Sequence, residues 1–206
     1  MPAQRTRASE LSPEPILLGL LEAHPAHGYE LHLRLTRDLG SLWHLSQSQI
    51  YSSLKRLEAR GWIASTPQPQ PHLPDRRKLR LTAEGRRRFH AWLSTPTPSS
   101  VRAIRVDFLS RLYFADRHGP QLIARLIEDQ TRAVEADLRR LDSSRERSSE
   151  SAFGELAHSL RLRQLASLLP WLDECRQLLI ETETETETSG DAKDAAPTGA
   201  HRHPNS

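Results

Sequence analysis

Cysteine is almost missing from this chain: Cys175 stands alone among 206 residues. That excludes an intrachain disulfide and any zinc site built from cysteines only. Cys175 itself lies in an apolar stripe and reads as a small core residue. Aromatic residues make up 5% of the chain, and apolar runs stop after a few positions. Nothing approaches the roughly 20 apolar residues that a membrane helix needs. The start, MPAQRTRASELSPEP, lacks the apolar stretch of a secretory signal. A cytoplasmic protein without membrane contact is the expectation. Missing too are a phosphate-cradling glycine loop and a nucleophile elbow. Carboxylate pairs such as Glu128 and Asp129 read as solvated helix surface. No catalytic residue is expected, and the chain reads as a non-enzyme.

Ten histidines invite a metal, but their spacing does not support one. His24 and His27 straddle Pro25, and His32 and His44 follow at no ligand spacing. His201 and His203 sit in a low-complexity tail, where metal binding is adventitious. No metal and no cofactor are expected.

What is present is a hydrophobic share of 36%, enough for a real core, and an uneven charge. Residues 1–93 hold 14 Lys/Arg against 8 Asp/Glu, whereas residues 94–206 hold 15 against 18. A basic front half permits an acidic partner such as nucleic acid without requiring one.

Along the chain, residues 1–12 look disordered. Ser12, Pro13 and Glu14 resemble a helix start, and EPILLGLLEAH is apolar on most faces, as in a buried helix. HGYELHLRLTRDLG alternates between Tyr29 and Leu35 as a strand would, but its Glu, Leu and Arg content and the closing Gly40 favour a helix. SQSQIYSSLKRLEARGWI forms a third helix: Ile50, Leu54 and Leu57 share one buried face, and Gly61 stops it. WIAST and RRKLRLT read as two paired strands, joined by PQPQPHLPD, too proline-rich to pair. AEGRRRFHAWL is a helix capped by Thr82. Residues 94–100 form a linker. Residues 101–180 look entirely helical, with helices over about 120–143 and 152–180, and the Thr-Glu tail 181–206 reads as disordered.

Helix, helix, helix, hairpin, helix is the winged form of helix-turn-helix, whose third helix enters the major groove. The fold class expected is therefore mostly α: a winged helix-turn-helix over 13–93 and an all-helical dimerisation domain over 101–180. On the third helix Ser46, Gln47, Gln49, Ser52, Ser53, Lys55 and Arg56 leave the core side. Such amides, hydroxyls and cations suit base edges and phosphates of double-stranded DNA. On the hairpin Arg76, Arg77, Lys78 and Arg80 suit phosphates. In the back half, Ile127, Val134 and Leu141 recur every seven residues, the period of a helix-to-helix seam. Leu165, Leu169 and Leu172 lie on one stripe of the last helix. These six are the candidate dimer residues, the alternative being that they pack within the chain.

HGYELHLRLTRDLG, SQSQIYSSLKRLEARGWI and RRKLRLTAEGRRRF together resemble the PadR family of bacterial winged-helix regulators. The resemblance rests on Gly28, Tyr29, Ile50, Tyr51, Leu54, Leu57, Glu58, Gly61, Thr82 and Gly85. It departs at Leu79, where members often carry Tyr, and at the proline-rich wing tip. The long helical back half resembles the subgroup similar to virulence-gene activators. The resemblance implies a homodimeric transcription regulator, a repressor at an inverted-repeat operator, with Tyr51 on a phosphate. A Tyr51 buried under the turn competes with that role. It also implies release by a small aromatic effector, for which Trp171 is the candidate lining residue among Trp43, Trp62, Trp92 and Trp171, the favoured alternative being that Trp171 is structural core. The competing function is a winged-helix module that docks proteins and reads no DNA sequence.

Overall fold

A computed structural model describes residues 11–70, 73–143 and 151–181. The segments expected to be disordered, 1–12 and 181–206, lie almost wholly outside that set. Helix α1 (Glu14–Ala23) starts where Ser12 Oγ accepts the Glu14 amide at 3.3 Å. Every residue from Ile16 to Leu21 is buried, so this helix forms the central post of the winged helix and the others pack around it. Helix α2 (Gly28–Leu39) begins with a capping box, in which Glu30 accepts the His27 amide at 2.9 Å. The strand alternation of 29–35 is thus a helix with Leu31, Leu35 and Leu39 turned inward.

Helix α3 (Gln47–Ala59) follows. At its end the Gly61 amide donates to Glu58 O at 2.9 Å and the Trp62 amide to Leu57 O at 3.0 Å. This closure needs a left-handed residue, and Gly61 takes φ 70°.

The sheet has three strands rather than two. Strand β1 (Ala26–His27), β2 (Ile63–Gln70) and β3 (Leu73–Leu81) run antiparallel in the order β1-β3-β2. Ala26 pairs with Leu79 and His27 with Lys78, a two-residue strand too short to leave a sequence period. The hairpin also runs further than expected, because Pro67 pairs with Arg77 and Gln68 with Arg76. The tip PQPQPHLPD is therefore partly strand, with an irregularity between Gln68 and Gln70. Strand β2 is an edge, where a residue's missing N–H can face outward without breaking the ladder. Thr82 Oγ1 accepts the Gly85 amide at 3.1 Å and starts helix α4 (Ala83–Ser94).

Beyond it, α5 (Val101–Ala103), a π-helical turn Ile104–Phe108 and α6 (Leu109–Ala115) run as one rod, and a 3₁₀ turn, Asp116–His118, ends at Gly119. Helix α7 (Pro120–Asp142) is the long helix expected from Pro120 onward. The final helix expected over 152–180 is broken into α8 (Ala152–Ala166) and α9 (Leu168–Arg176), followed by a π turn, Gln177–Glu181. Pro170 supplies the reason: it lacks an N–H, and its ring collides with the carbonyl four residues earlier.

One hydrophobic cluster passes through both halves, from Ile16 and Leu57 through Phe89, Phe114 and Phe108 to Ile127, Val134, Leu165 and Leu172. Phe89 meets Phe114 edge-on at 5.3 Å and Phe108 meets Trp171 at 6.1 Å. Polar ties reinforce the junction. Trp43 Nε1 donates to Ser110 Oγ at 2.8 Å and Trp92 Nε1 to Asp107 Oδ1 at 2.9 Å. Gln130 holds the linker through both backbone groups of Thr97, accepting its amide at 3.0 Å and donating to its carbonyl at 2.9 Å.

The seven-residue seam is an intrachain one. Ile127, Val134, Leu165 and Leu172 are buried within the single chain, and Leu141 and Leu169 are half-buried against the same core. Helix α7 packs on α8 and α9 of its own chain. A repeat of seven marks a seam but not whose helix fills it. Large apolar side chains left uncovered in this half include Phe153, Leu156 and Leu160 on α8, exposed by 81%, 70% and 58%.

Candidate nucleic-acid interface

Helix α3 is held from beneath by Ile50, Ser53, Leu54 and Leu57. These positions share one stripe, so the outward side is fixed at Ser48, Ser52, Lys55 and Ala59, all exposed. Ser48 was not among the expected contacts, although its spacing from Ser52 and Lys55 marks the same face. Ser53 is the reverse case. It is buried to 1% exposure and accepts Arg56 Nη2 at 2.9 Å, so it supports the helix instead of facing a groove. Its hydroxyl suggested a polar face, but its position three after Ile50 decides the matter.

The start of the helix is a second capping box. Ser46 Oγ accepts the Gln49 amide at 3.3 Å and Gln49 Oε1 accepts the Ser46 amide at 2.8 Å. Gln49 therefore spends its carbonyl on the cap and keeps only its NH₂ for another partner. Gln47 beside it is exposed. Arg56 is also engaged. Its Nε lies 3.1 Å from Glu14 Oε1, while Arg60 Nη1 lies 2.6 Å from Glu14 Oε2. The two guanidiniums clamp α3 to the first turn of α1, so their charges are partly neutralised. Lys55 stands exposed on the outward face, in no ion pair with another of the described residues.

Tyr51 is 47% exposed, not buried beneath the turn. Its ring lies over Gly28, where an added Cβ would stand 2.7 Å from Tyr51 Cε1. Glycine at position 28 is thus needed for close approach. Tyr29, 55% exposed, stands beside it. Between α2, α3 and the sheet lies a cleft of about 910 Å³, lined by Tyr29, Tyr51, Lys55 and Arg77 with Glu30 and Glu58.

The wing is tied to α3 through Arg77. Its Nη2 donates to Glu58 Oε1 at 2.8 Å and to Ser65 Oγ, whose hydroxyl donates to the same carboxylate at 2.6 Å. The backbone carbonyl of Arg77 accepts His27 Nδ1–H at 3.0 Å. Lys78 and Arg80 are exposed and alternate with buried Leu79. Arg76 pairs with Gln68 through its backbone, and its side chain lies outside the described set.

The other expected sites resolve as packing. Trp171 is half-buried against Phe108. The guanidiniums of Arg60 and Arg88 lie over the Trp62 ring, at 5.1 and 5.2 Å. Among the described residues His24, His27, His32 and His44 form no ligand cluster with one another. A second cleft of about 530 Å³ opens beside α1, α2 and the 3₁₀ turn, lined by Arg34, Arg37, Asp38 and Arg117. There the Arg37 hydrogen bond holds the Asp38 carboxyl below its ordinary range, and burial raises the Tyr113 hydroxyl that donates to it at 2.8 Å.

A helix with a polar outward face, an amide- and hydroxyl-rich start and a hairpin bolted to its end define a winged-helix DNA-binding regulator. Comparison with known proteins narrows this. The transcriptional regulator PadR-like family matches residues 17–91, and the virulence activator alpha C-terminal family matches residues 104–179. The chain is 30% identical over 138 residues to the negative transcriptional regulator PadR of Bacillus subtilis, covering 66% of this chain and 74% of that one. It is 32% identical over 84 residues to a protein of Mycobacterium tuberculosis described as a probable transcriptional regulator, covering 41% and 44%. It also resembles the crystal structure of Bacillus subtilis PadR in complex with operator DNA, at 26% identity and TM-score 0.41, over 83% of this chain and 99% of that one. The chain belongs to the PadR-like family of transcriptional regulators, which are not enzymes. Among the described residues, no helix is long and apolar enough to cross a membrane.

Proposed function

We propose that the chain is a homodimeric repressor that places α3 of each copy in successive major grooves of an inverted-repeat operator. The observation that carries this reading is the outward face of α3, where Gln47, Ser48, Ser52 and Lys55 are exposed above a fully packed underside. Ser52, Ser48 and Gln47 read base edges, and Lys55, Tyr51, Lys78 and Arg80 hold phosphates. Arg77 positions the wing. Two half-sites separated by about one helical turn, ~34 Å, would match two copies of α3.

The dimer surface in this proposal is Phe153, Leu156 and Leu160 on α8, not the buried seam. Three large apolar side chains at i, i+3 and i+7 form a stripe that water disfavours. An aromatic carboxylate is the proposed effector. Its site is the cleft at Arg34, Arg37 and Arg117, since guanidiniums match a carboxylate's two oxygens and Trp171 lines neither described cleft.

Selection of bound duplexes from a random DNA pool, eluted with graded salt, tests the reading. An enriched inverted repeat supports it. Retention without an enriched sequence removes base reading, and no retention favours the protein-docking alternative. Leu156→Glu in parallel is expected to give monomers by sedimentation and to lose the repeat while keeping weak, salt-sensitive binding. A dimer unchanged by Leu156→Glu excludes the α8 stripe.

A further inference from the structure

Where the winged helix meets the helical half, three side chains far apart in sequence converge. Glu22 stands in the last turn of α1, His90 on α4 and His118 in the 3₁₀ turn before α7. His90 Nε2 lies 2.8 Å from Glu22 Oε1 and His118 Nε2 lies 3.5 Å from Glu22 Oε2. The three ligand atoms all fall within 4.8 Å of one another. The imidazoles meet edge to face at 5.6 Å between centroids. The Glu22 side chain is 13% exposed, while those of His90 and His118 are 45% and 34% exposed. The carboxylate therefore forms a floor and the two rings an open rim.

The placement of Glu22 is itself unexpected. A carboxylate in a helix's last turn opposes the helix dipole, and no basic residue shares that turn. Arg86 Nη1 lies 3.4 Å from Glu22 Oε1, a long contact for a charge-assisted bond, and its side chain is 56% exposed. It can leave without unpacking anything.

We propose that Glu22, His90 and His118 form a binding site for a divalent transition cation, zinc the best fit, which staples α1 and α4 of the winged helix to the turn before α7. Two imidazole nitrogens and a carboxylate oxygen are a zinc donor set, with water in the fourth position. Zinc bonds of about 2.0–2.1 Å in a tetrahedron require donor atoms roughly 3.4 Å apart. The observed separations bracket that value, so modest side-chain adjustment closes the site. Each imidazole takes the ion on its Nε2 lone pair, with the ring proton standing on Nδ1, and Glu22 takes it on a carboxylate oxygen. Because the ligands come from both halves of the molecule, the bound ion fixes how the recognition helix sits relative to the helical half.

The test uses the full chain carrying His201→Ala and His203→Ala, so that histidines of the C-terminal tail do not contribute. After treatment with a chelator the protein is titrated with cobalt(II), read by its visible absorption, and with zinc in competition with a coloured indicator. One ion per chain with a tetrahedral cobalt band is expected. His90→Ala and His118→Ala should each weaken zinc by more than the roughly 10–100-fold that loss of a mere supporting group costs. Arg86→Ala should bind zinc at least as tightly, since it removes the competing cation. Metal-free melting curves of the three variants, compared with the parent, establish that they fold. Absence of binding by the parent, equal binding by the histidine variants, or weaker binding by Arg86→Ala would each overturn the site.

Discussion

Residues of one kind on α3 differ in what they are free to do. Lys55 stands on the outward face, whereas Arg56 is clamped to Glu14. Lys55→Ala is therefore expected to weaken DNA binding nearly uniformly across sequences and to lower the magnitude of the salt slope by about 1. Arg56→Ala should leave that slope nearly unchanged and cost stability instead. Because the Arg56 side chain is half exposed, the loss is small, about 0.2–1 kcal/mol. A filter-binding salt series and a urea melt separate the two. Cys175 gives an independent check on packing. Burial raises its thiol to about 11, so at pH 8 the folded protein should resist alkylation that proceeds in denaturant. Rapid labelling of the native state would mean α9 is not packed as described. At this scale the sequence was only half legible. Polarity placed Ser53 and Gln49 on a reading face, but helix phase buries the first and a capping box occupies the second.

Elements were easier to read than side chains because they depend on patterns summed over many residues. Helices α1 to α4 and α7 follow from apolar spacing, the cap at Thr82 and the stop at Gly61. Strand β1 was invisible because two residues carry no period, and the break before α9 was missed because leucines on both sides masked Pro170. The π turn at Ile104–Phe108 left no sequence signal either, yet it carries Asp107, the counter-charge of a buried guanidinium on α6. Arg111, 4% exposed, lies over Trp92 at 4.9 Å and pairs with Asp107 at 2.8 Å. Asp107 also accepts from Trp92 Nε1 and from Thr97 Oγ1 at 3.2 Å. Asp107→Ala would leave a buried guanidinium without its counter-charge and should cost about 3–5 kcal/mol. Urea unfolding measures this, and a loss under 1 kcal/mol would show that water reaches the site.

Across the whole molecule, the continuous hydrophobic cluster predicts that both halves unfold together, in one thermal transition. Acid should act partly through Asp38, which accepts from Tyr113 on α6 and from Arg37 on its own helix. Its carboxyl is lowered in the folded state, chiefly by the Arg37 hydrogen bond. Its contribution is therefore complete above the ordinary carboxylate range and disappears as pH falls through the lowered value. Asp38→Asn should lower stability at neutral pH, where the carboxylate contributes fully, and flatten the further loss across that acidic interval, so that the two proteins converge in acid. A pH series of melting temperatures that stays parallel to the parent would exclude this link.

The sheet's outer margin bears on a different hazard. Strand β2 is an edge of the three-stranded sheet, and an open edge invites another chain to add a strand and start a fibre. Pro67 interrupts the row of donors that such an intruder would need, and the irregularity between Gln68 and Gln70 bends the margin away from a flat template. The proline-rich tip, which looks ill suited to a strand, thereby lets many copies crowd together without polymerising through their sheets.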